Sequence, residues 1–296
     1  MMAGMNRGAL RDVRLWLVCG CIALLVLSAA EAAYMLWVCL HGLLVTPQPE
    51  VDGGNHVLVS SLDETVIQHN AEFNLALHKF KGEVYLPRGH KYIRDLSSEP
   101  IPKLTYRVGG VVLTKEQVFS HREARMLLRY TLVEAHSPTT LRFKPFLAFR
   151  NVHTLAKANV HFDNRFQKVR NGIRVQMYPG YTPLYLQFSA APEYVHVPDW
   201  YYDFEYSKER DRGYEYLEDL YAPGFFEVAI KKGESIIFSA GTSEADPSSL
   251  AGMVVHEIGW RTPRDSFEHC LQNSAQQFIL EREGRTDLVA GFPWYA

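Results

Sequence analysis

Apolar and polar residues alternate with a period of two through most of the chain from about residue 41 onward. In "PLYLQFS" (183–189), Leu184, Leu186 and Phe188 share one face of a predicted strand, because successive side chains of a strand point to opposite faces. Short runs of the same kind occur at 55–61, 64–69, 73–78, 126–134, 140–149 and 172–178. Many short strands separated by turn residues predict a mainly β fold, an antiparallel β-sandwich.

Two segments have the pattern of β-hairpins. In "LTYRVGGVVLTKEQVF" (104–119), Gly109-Gly110 supplies the positive φ angles that a two-residue primed turn requires. In "GFFEVAIKKGESIIFSAG" (224–241), two apolar runs flank Lys232-Gly233-Glu234. Each segment is therefore predicted to pair its own two strands.

Two other segments interrupt the β pattern. "SKERDRGYEYLEDL" (207–220) is polar and fits a short helix inside a long loop. "TPRDSFEHCLQNSAQQFILERE" (262–283) predicts an amphipathic helix with Thr262 as N-cap and Pro263 at the first helical position. One stripe of that helix is apolar and contains Phe267, Leu271, Ala275 and Phe278. A helix after a closed sandwich is typical of a connector between domains.

Residues 1–40 differ from the rest of the chain. Three arginines precede the uncharged run "LWLVCGCIALLVLSAA" (15–30), which favours a signal peptide or, through residues 15–39, a membrane anchor. An equally open interpretation is that this stretch is not native and comes from a wrongly assigned start or a shifted reading frame.

Composition and spacing exclude some classes of function. The net charge is −2 and no basic block occurs, so the chain lacks the electrostatic surface of a nucleic-acid-binding protein. Cysteines do not cluster at ligand spacing, and "HEIGW" (256–260) has no second His four residues after His256. The sequence therefore predicts neither a metal site nor a cofactor.

Familiar catalytic motifs are missing from the sequence. There is no G-x-S-x-G elbow and no glycine-rich phosphate loop. Acidic pairs such as Asp63-Glu64, or Asp203 with Glu205, have the residue types of a glycosidase, but that chemistry needs a fixed separation that sequence spacing does not define. These acids are predicted to be solvated surface groups.

An aromatic stretch is the first candidate for a binding surface. "PDWYYDFEYSKERDRGYEYLEDLYAPGFF" (198–226) contains ten aromatic residues mixed with charges. Aromatic rings stack on the apolar faces of sugars, which makes Trp200, Tyr201 and Tyr202 candidates for carbohydrate contact. The favoured interpretation is that these rings pack against another domain, because Tyr and Trp suit half-wet interfaces, and one loop can do both.

The second candidate is "FKPFLAFRNVH" (143–153), where Arg150, Asn151 and His153 directly follow an apolar strand. Polar groups in a loop beside a rigid scaffold often serve a site. Ordinary turn and cap roles are an equally open interpretation.

Several long motifs together resemble one family. They are "HGLLVTPQPEVDGGNHVLVSSLDETVIQHNAEFNLALHKF" (41–80), "EPIPKLTYRVGGVVLTKE" (99–116), "FLAFRNVH" (146–153), "YVHVPDWYYDFEY" (194–206) and "GFPWYA" (291–296). Over about residues 41–296 the chain resembles the N-terminal domain of bacterial and archaeal type glycogen debranching enzymes. The resemblance implies an antiparallel supersandwich that packs on a separate (α/α)-barrel catalytic domain.

The same resemblance implies where the activity would lie. Complete enzymes of the family hydrolyse α-1,6-glucosidic branch points, with one protonated and one ionised carboxyl group that belong to the helical domain. No catalytic residue is therefore expected in this chain. The expected partners are the helical-barrel domain and an α-glucan (glycogen or maltooligosaccharide), with a membrane only through residues 15–39. The cytoplasm is expected unless residues 1–40 direct export or membrane attachment.

Both ends of the chain depart from the family pattern. The family opens its helical barrel with a motif of the form G-F-P-W-[FY]-G, and here Ala296 replaces the last glycine. Phe292 and Trp294 join the candidates for glucan or domain contact. At the other end, the hydrophobic segment stands where the family has early strands. The expected domains are a segment 1–40, a β-sandwich 41–249, and a linker helix with the start of the barrel, 250–296.

Three functions are consistent with the sequence. The first is a non-catalytic β domain of a debranching enzyme that supports the catalytic domain and contacts α-glucan. The second is a stand-alone glucan-binding module that is exported or tethered to a membrane. The third is an inactive gene fragment.

Overall fold

The computed structural model describes residues 42–121, 123–261, 263–276, 278–282 and 285–288. Within these ranges the chain forms two large sheets and one small sheet, and the strand pairings are antiparallel throughout. The predicted leader or anchor segment, residues 1–40, lies outside the described residues. No helix of the described ranges combines the length and the apolar character needed to cross a membrane.

The larger sheet has ten strands and is centred on its longest members. Its main path runs β1-β2-β10-β16-β15-β4-β5, while β3 pairs with β2 and β17 pairs with both β10 and β14. The strands are β1 (Leu44–Pro47), β2 (Asn55–Gln68), β3 (Ala71–Asn74), β4 (Leu77–Phe80), β5 (Val84–Arg88), β10 (Thr139–Asn151), β14 (Glu193–Val195), β15 (Asp199–Glu205), β16 (Leu217–Ala222) and β17 (Phe225–Ile230).

The second sheet has eight strands in the order β11-β12-β13-β18-β9-β8-β7-β6. They are β6 (Ile93–Ser97), β7 (Lys103–Val108), β8 (Val111–Phe119), β9 (Arg125–Glu134), β11 (Phe166–Val169), β12 (Gly172–Val175), β13 (Leu184–Phe188) and β18 (Ser235–Gly241).

The remaining elements are short. A two-stranded sheet joins β19 (Ile279–Arg282) to β20 (Arg285–Leu288). The α-helices of the described ranges are α1 (Ser207–Asp211), α2 (Leu250–Gly259) and α3 (Phe267–Gln276), and 3₁₀ turns span Gly89–Tyr92 and Pro247–Ser249.

Four phenylalanine rings join the two large sheets. Phe143 and Phe226 come from the ten-stranded sheet, Phe188 and Phe238 come from the eight-stranded sheet, and all four are fully buried. The centroid of Phe188 lies 5.1 Å from that of Phe143, 5.0 Å from that of Phe226 and 5.1 Å from that of Phe238. Burial of each ring contributes about 1.5–3 kcal/mol. The interlocked side chains confirm the predicted antiparallel β-sandwich.

The predicted inner face of β13 is also confirmed, and its outer face is covered as well. Leu184, Leu186 and Phe188 are fully buried, but so is Gln187 on the other face. The Gln187 side-chain amide donates to the carbonyl of Ala245, and its oxygen accepts from the Ala245 N–H, at 2.9 and 2.8 Å. The segment that leads into α2 therefore covers this outer face of the eight-stranded sheet.

Helix α2 extends that cover. Leu250 and Val254 pack in a cluster on the outer face of the eight-stranded sheet, together with Ile101, Val118, Leu127, Ile237 and Ala245. Because this face is covered, even its polar residues Arg125 of β9 and Ser239 of β18 are buried, and the Arg125 guanidinium donates to the Ser239 hydroxyl at 2.7 Å.

The hairpin predicted at 104–119 is confirmed, whereas the hairpin predicted at 224–241 is wrong. β7 and β8 pair directly around Gly109 and Gly110, whose φ angles are 55° and 81°. β17 and β18 instead lie in different sheets, β17 against β10 and β18 against β9 and β13. The turn between them connects the two layers. The hairpin prediction failed because a glycine turn and an alternating pattern suit an arch between sheets as well as a hairpin.

The helix predicted at 262–283 is shorter in the structure. Helix α3 covers only Phe267–Gln276, and Ile279–Arg282 forms a strand. The backbone N–H of His269 donates to the Ser266 hydroxyl at 3.1 Å, so Ser266 caps the helix start that the prediction gave to Thr262, a residue outside the described ranges. β-Branched Ile279 then favours the strand.

Other boundaries shifted more modestly. The runs 55–61 and 64–69 belong to one 14-residue strand, β2, and the run 73–78 is divided between β3 and β4. The segment 207–220 contains the short predicted helix, α1, but its end belongs to β16.

Candidate functional site

An open groove of about 420 Å³ lies beside the end of β10. Three aromatic rings and several polar side chains line it, and we call it the aromatic groove. Its lining residues are Ala148, Phe149, Arg150, Ala156, Lys157, Asn159, His161, Tyr178 and Tyr181.

A distortion of β10 shapes one wall of the aromatic groove. The pairing of β10 with β2 changes register between Leu147 and Arg150. Within this bulge Phe149 takes a φ of 46°, in the left-handed region, although its side chain is buried. Such a conformation in a bulky residue costs about 1–3 kcal/mol, and strained bulges re-aim side chains at functional sites. The strain at Phe149 therefore marks this wall as a candidate.

The two tyrosines of the aromatic groove flank a tight turn, 178–181. Their ring centroids are 6.1 Å apart, and the Phe149 ring lies 5.4 Å from Tyr181. Asn159 Nδ2 donates to the Tyr178 hydroxyl at 2.8 Å. Burial, with a smaller effect of the nearby Asp52 charge, raises the pKa of Tyr181 to about 12, so its hydroxyl stays protonated at neutral pH.

A buried histidine holds Tyr181 in place. His56 Nε2 lies 2.8 Å from Asp52 Oδ1, and His56 Nδ1 lies 2.8 Å from the Tyr181 hydroxyl. Because an ionised carboxylate only accepts, His56 Nε2 donates to Asp52, and Nδ1 pairs with the Tyr181 hydroxyl. Hydrogen bonds from His56, Gly54 and Asn151 lower the pKa of Asp52. The Asp52–His56–Tyr181 chain therefore fixes the ring before any ligand arrives.

Two acids of β16 hold the loop that forms the opposite wall. Glu218, which is fully buried, accepts from Arg150 Nε and from the Ala156 N–H, the latter at 3.0 Å, and also from the Tyr206 hydroxyl. Asp219 Oδ2 accepts from the Ala158 N–H at 3.1 Å. The backbone that carries Lys157 and Asn159 is thus fixed to the sheet.

The predicted residues Arg150, Asn151 and His153 lie at this end of β10. Arg150 lines the aromatic groove, but its guanidinium is buried against Glu218. Asn151 Nδ2 donates to Asp52 Oδ2 at 3.0 Å, and Asn151 Oδ1 accepts from the His153 N–H at 3.0 Å. The imidazole of His153 is exposed. Arg150 and Asn151 thus have structural partners, and a direct contact with glucan stays a prediction for all three residues.

The structure does not bring Trp200, Tyr201 and Tyr202 into one platform. Trp200 is half-buried beside the inner core, with its centroid 5.2 Å from Phe162. Tyr201 packs against the cluster on the outer face of the ten-stranded sheet, and its hydroxyl accepts from Lys144 Nζ at 3.0 Å. Tyr202 is 58% exposed. Their predicted contacts with glucan or another domain remain untested, as do those of Phe292 and Trp294, which lie outside the described residues.

Most of the aromatic groove is not predicted by the sequence. Its unpredicted lining residues include Lys157, Asn159, His161, Tyr178 and Tyr181. The signal that could have found the tyrosines is "MYPGYTP" (177–183), where two aromatic residues flank a Pro-Gly turn after a strand. Nothing in the sequence places this turn beside the end of β10, because 29 residues separate Phe149 from Tyr178.

The prediction that Asp63, Glu64 and Glu205 are solvated surface acids is wrong. All three are buried: Asp63 lies 2.6 Å from His78 Nε2, Glu64 lies 2.5 Å from Lys115 Nζ, and Glu205 lies 2.6 Å from Arg210 Nη1. Buried carboxylates need such partners to offset lost hydration. Asp203 is half-buried.

These features define a β-sandwich with a rigid aromatic groove at the end of its central strand. The chain belongs to the family described as "Glycogen debranching enzyme N terminal", whose model matches residues 29–237. No curated protein matches the sequence.

Two solved structures align with part of the chain. A bacterial glucoamylase complexed with acarbose aligns with a TM-score of 0.39 and 8% identity, over 82% of this chain and 38% of that chain. A polysaccharide lyase aligns with a TM-score of 0.33 and 12% identity, over 72% of this chain and 32% of that chain. The chain thus spans less than two fifths of the length of these proteins, and similarity at this level carries no argument about function.

Proposed function

We propose that this chain is the non-catalytic N-terminal β domain of a glycogen debranching enzyme, an amylo-α-1,6-glucosidase, and that it contacts α-glucan through the aromatic groove. The family match over residues 29–237 supports the first part. The observation that carries the second part is the rigid set of rings in the groove, Phe149, Tyr178 and Tyr181.

The chemistry of the groove suits a sugar chain. Aromatic faces cover the apolar C–H faces of glucose, and the side chains of Lys157, Asn159 and His161 supply charge and hydrogen-bonding groups for hydroxyls. Because the hydroxyls of Tyr178 and Tyr181 already have protein partners, the rings lose little freedom on binding. The groove lining includes no carboxylate, and Glu218 behind it is paired with Arg150, so the role proposed for it is contact rather than hydrolysis.

A second surface suits the helical-barrel domain. Helix α3 leaves its apolar stripe in solvent: Phe267 is 52% exposed and Leu271 is 41% exposed, and Phe278 and Ile279 continue the exposed stripe. An exposed apolar stripe of this kind is costly unless another surface covers it. In a debranching enzyme the occupant would be the barrel domain, which follows this region of the chain in the family.

Titration with maltooligosaccharide tests the glucan role. Trp200 lies beside Phe162, the neighbour of the groove residue His161, and therefore reports on that wall through its fluorescence. We expect a saturable change on addition of maltoheptaose and none on addition of an equal concentration of a β-1,4-linked glucose oligomer. Equal responses to both sugars, or no response to either, would contradict an α-glucan groove.

Mixing with a separately expressed helical-barrel domain tests the packing role. We expect a complex in size-exclusion chromatography, which the double variant Phe267→Asp/Leu271→Asp abolishes. The variant Val160→Asp is the control, because Val160 is 89% exposed and lies on the loop beside the aromatic groove, not on α3. A complex that survives the α3 double variant would contradict the assignment of this surface.

A further inference from the structure

Two histidines and a glutamate from distant parts of the chain meet at the end of helix α2. His121 lies on the connection between β8 and β9, and His256 and Glu257 lie in the last turn of α2. One ligand atom from each of the three side chains lies within 4.8 Å of the other two. This group is separate from the aromatic groove and takes no part in the function proposed above.

The carboxylate of Glu257 is held in a fixed orientation. Glu257 is 2% exposed, and its Oε2 accepts from the Trp260 indole N–H at 2.8 Å. Its Oε1 lies 2.9 Å from His121 Nδ1 and accepts from the His121 backbone N–H at 3.2 Å. Burial alone would raise the pKa of Glu257, but the hydrogen bonds from Trp260 and His121 outweigh burial and lower it, so the carboxylate is ionised at neutral pH.

The two imidazoles lie side by side. The rings of His121 and His256 are nearly parallel, with centroids 5.3 Å apart and an interplanar angle of 9°. The Trp260 ring packs against His121 at 4.7 Å. The stack places two nitrogen ligands next to one buried anion, which is the His₂Glu set that binds zinc in many proteins.

The distance between two of the ligand atoms is close to the separation of ligand atoms around a coordinated ion. Ligand atoms at about 2.0–2.1 Å from a tetrahedral Zn²⁺ lie about 3.3 Å from one another. The separation of His121 Nδ1 from Glu257 Oε1, 2.9 Å, is already within reach of joint coordination. His256 is exposed and can close the remaining gap by a change of rotamer.

The charges around the site have opposing effects on the binding of a cation. A cation at the end of α2 faces the negative end of the helix dipole, which favours binding. The positive charge of Arg261 opposes cation binding. Burial lowers the pKa of the Arg261 guanidinium, and the charge of Glu257 opposes this shift. Glu257 Oε2 is kept in place by Trp260, an arrangement typical of groups around metal ligands.

We propose that His121, His256 and Glu257 form a binding site for a divalent transition-metal ion of the zinc type. The ion replaces the proton between His121 Nδ1 and Glu257 Oε1, and His256 is the third protein ligand, with water completing the tetrahedron. It links the β8–β9 connection to the end of α2, directly before the segment that leads to α3. An ion bound there joins the sandwich to its C-terminal helices and stabilises this junction.

Isothermal titration of the tag-free, metal-stripped full chain with Zn²⁺ tests the proposal. Cys19, Cys21 and Cys39 also offer zinc ligands, so the decisive quantity is the difference between wild type and site variants. We expect His121→Ala, His256→Ala and Glu257→Gln each to lose one equivalent of bound Zn²⁺. The control His90→Ala, which removes an exposed histidine elsewhere, is expected to keep it.

Thermal melting gives a second readout, the difference between wild type and site variants in the stabilisation caused by Zn²⁺. Zn²⁺ is expected to raise the melting temperature of wild type and of His90→Ala, and not that of His256→Ala. His256 is exposed, so this variant is expected to fold even if a change at buried Glu257 prevents folding. The proposal is overturned if His121→Ala and His256→Ala bind as many Zn²⁺ ions as wild type, or if Zn²⁺ stabilises His256→Ala as much as wild type.

Discussion

Arg150 lies at the end of the central strand β10 and forms a buried ion pair with Glu218 of the neighbouring strand β16. Arg150 is 5% exposed and Glu218 is fully buried. Glu218 also accepts from the Ala156 N–H at 3.0 Å, so one carboxylate ties the strand end to the loop of the aromatic groove. The pair thus links the stability of the sandwich to the shape of its candidate binding surface.

Loss of one partner of this pair is predicted to be severe. Arg150→Met leaves Glu218 charged and buried, which costs about 3–5 kcal/mol of unfolding free energy. The exposed pair of Arg165 and Asp163 is the matched control, since Arg165 is 85% exposed in its side chain and Arg165→Met is expected to cost at most about 1 kcal/mol. Urea unfolding of both variants measures the difference. Equal costs would show that the Arg150–Glu218 pair does not have the structural role given to it.

The sequence predicted the sandwich because alternation is a local property. The faces of β13 follow from Leu184, Leu186 and Phe188 alone, and the turn at Gly109 and Gly110 follows from the φ angles that glycine allows. The partner of a strand is not local. β17 and β18 flank an ordinary turn yet belong to opposite layers, a difference that depends on which distant strands pair with each.

The site was less predictable for the same reason. Phe149, Asn159 and Tyr178 come from three segments, and only the fold brings them to one groove. The burial of Glu64 is not predictable locally, because its cation, Lys115, lies 51 residues away in the sequence. Arg150 lines the aromatic groove, but no local feature of the sequence predicts that Glu218 buries its charge.

Two glycines are predicted to respond in opposite ways to the same substitution. Gly224 has a φ of 143°, and an added Cβ would lie 2.1 Å from the Val195 carbonyl oxygen, so Gly224→Ala is expected to destabilise the fold. Gly252 lies inside α2 with no atom within 4 Å of an added Cβ, so Gly252→Ala is expected to stabilise it by about 0.5–1 kcal/mol. Thermal melting of the two variants checks both signs. A stable Gly224→Ala variant would contradict the close contact between β14 and the start of β17.

The ion pair of Glu123 with buried Arg125 is predicted to make stability depend on acid pH. The Arg125 guanidinium lowers the pKa of Glu123 from its ordinary value, and burial opposes this only in part. The ion pair therefore contributes fully to the unfolding free energy above the unfolded-state pKa of Glu123, about 4.3. This contribution is lost as pH falls through the lower folded-state pKa of Glu123.

The variant Glu123→Gln isolates this contribution. It keeps the shape but has no charge to lose, so its unfolding free energy should fall less than that of wild type between about pH 5 and pH 3. Urea unfolding at a series of pH values measures both slopes. Parallel slopes would mean that Glu123 titrates alike in the folded and unfolded chain.

The hydroxyl of Tyr181 is predicted to matter for stability more than for sugar contact. Tyr181→Phe keeps the ring that lines the groove but removes the partner of His56 Nδ1. A buried polar group without a partner costs about 1–3 kcal/mol. We expect a lower urea midpoint and only a small loss of affinity for maltoheptaose, because the ring is less fixed before binding but still lines the groove. A loss of affinity as large as that of Tyr181→Ala would instead give the hydroxyl a direct polar contact with the sugar.

This protein is predicted to bind α-glucan in the aromatic groove, whose lining contains no carboxylate. Affinity electrophoresis in native gels that contain glycogen tests it most directly, with wild type, Tyr178→Ala and the control Tyr214→Ala, whose exposed ring lies outside the groove lining. We predict that glycogen retards wild type and Tyr214→Ala alike, and that Tyr178→Ala weakens the retardation about tenfold, the effect of about 1.4 kcal/mol of lost ring contact. Retardation of Tyr178→Ala equal to that of wild type would contradict the account.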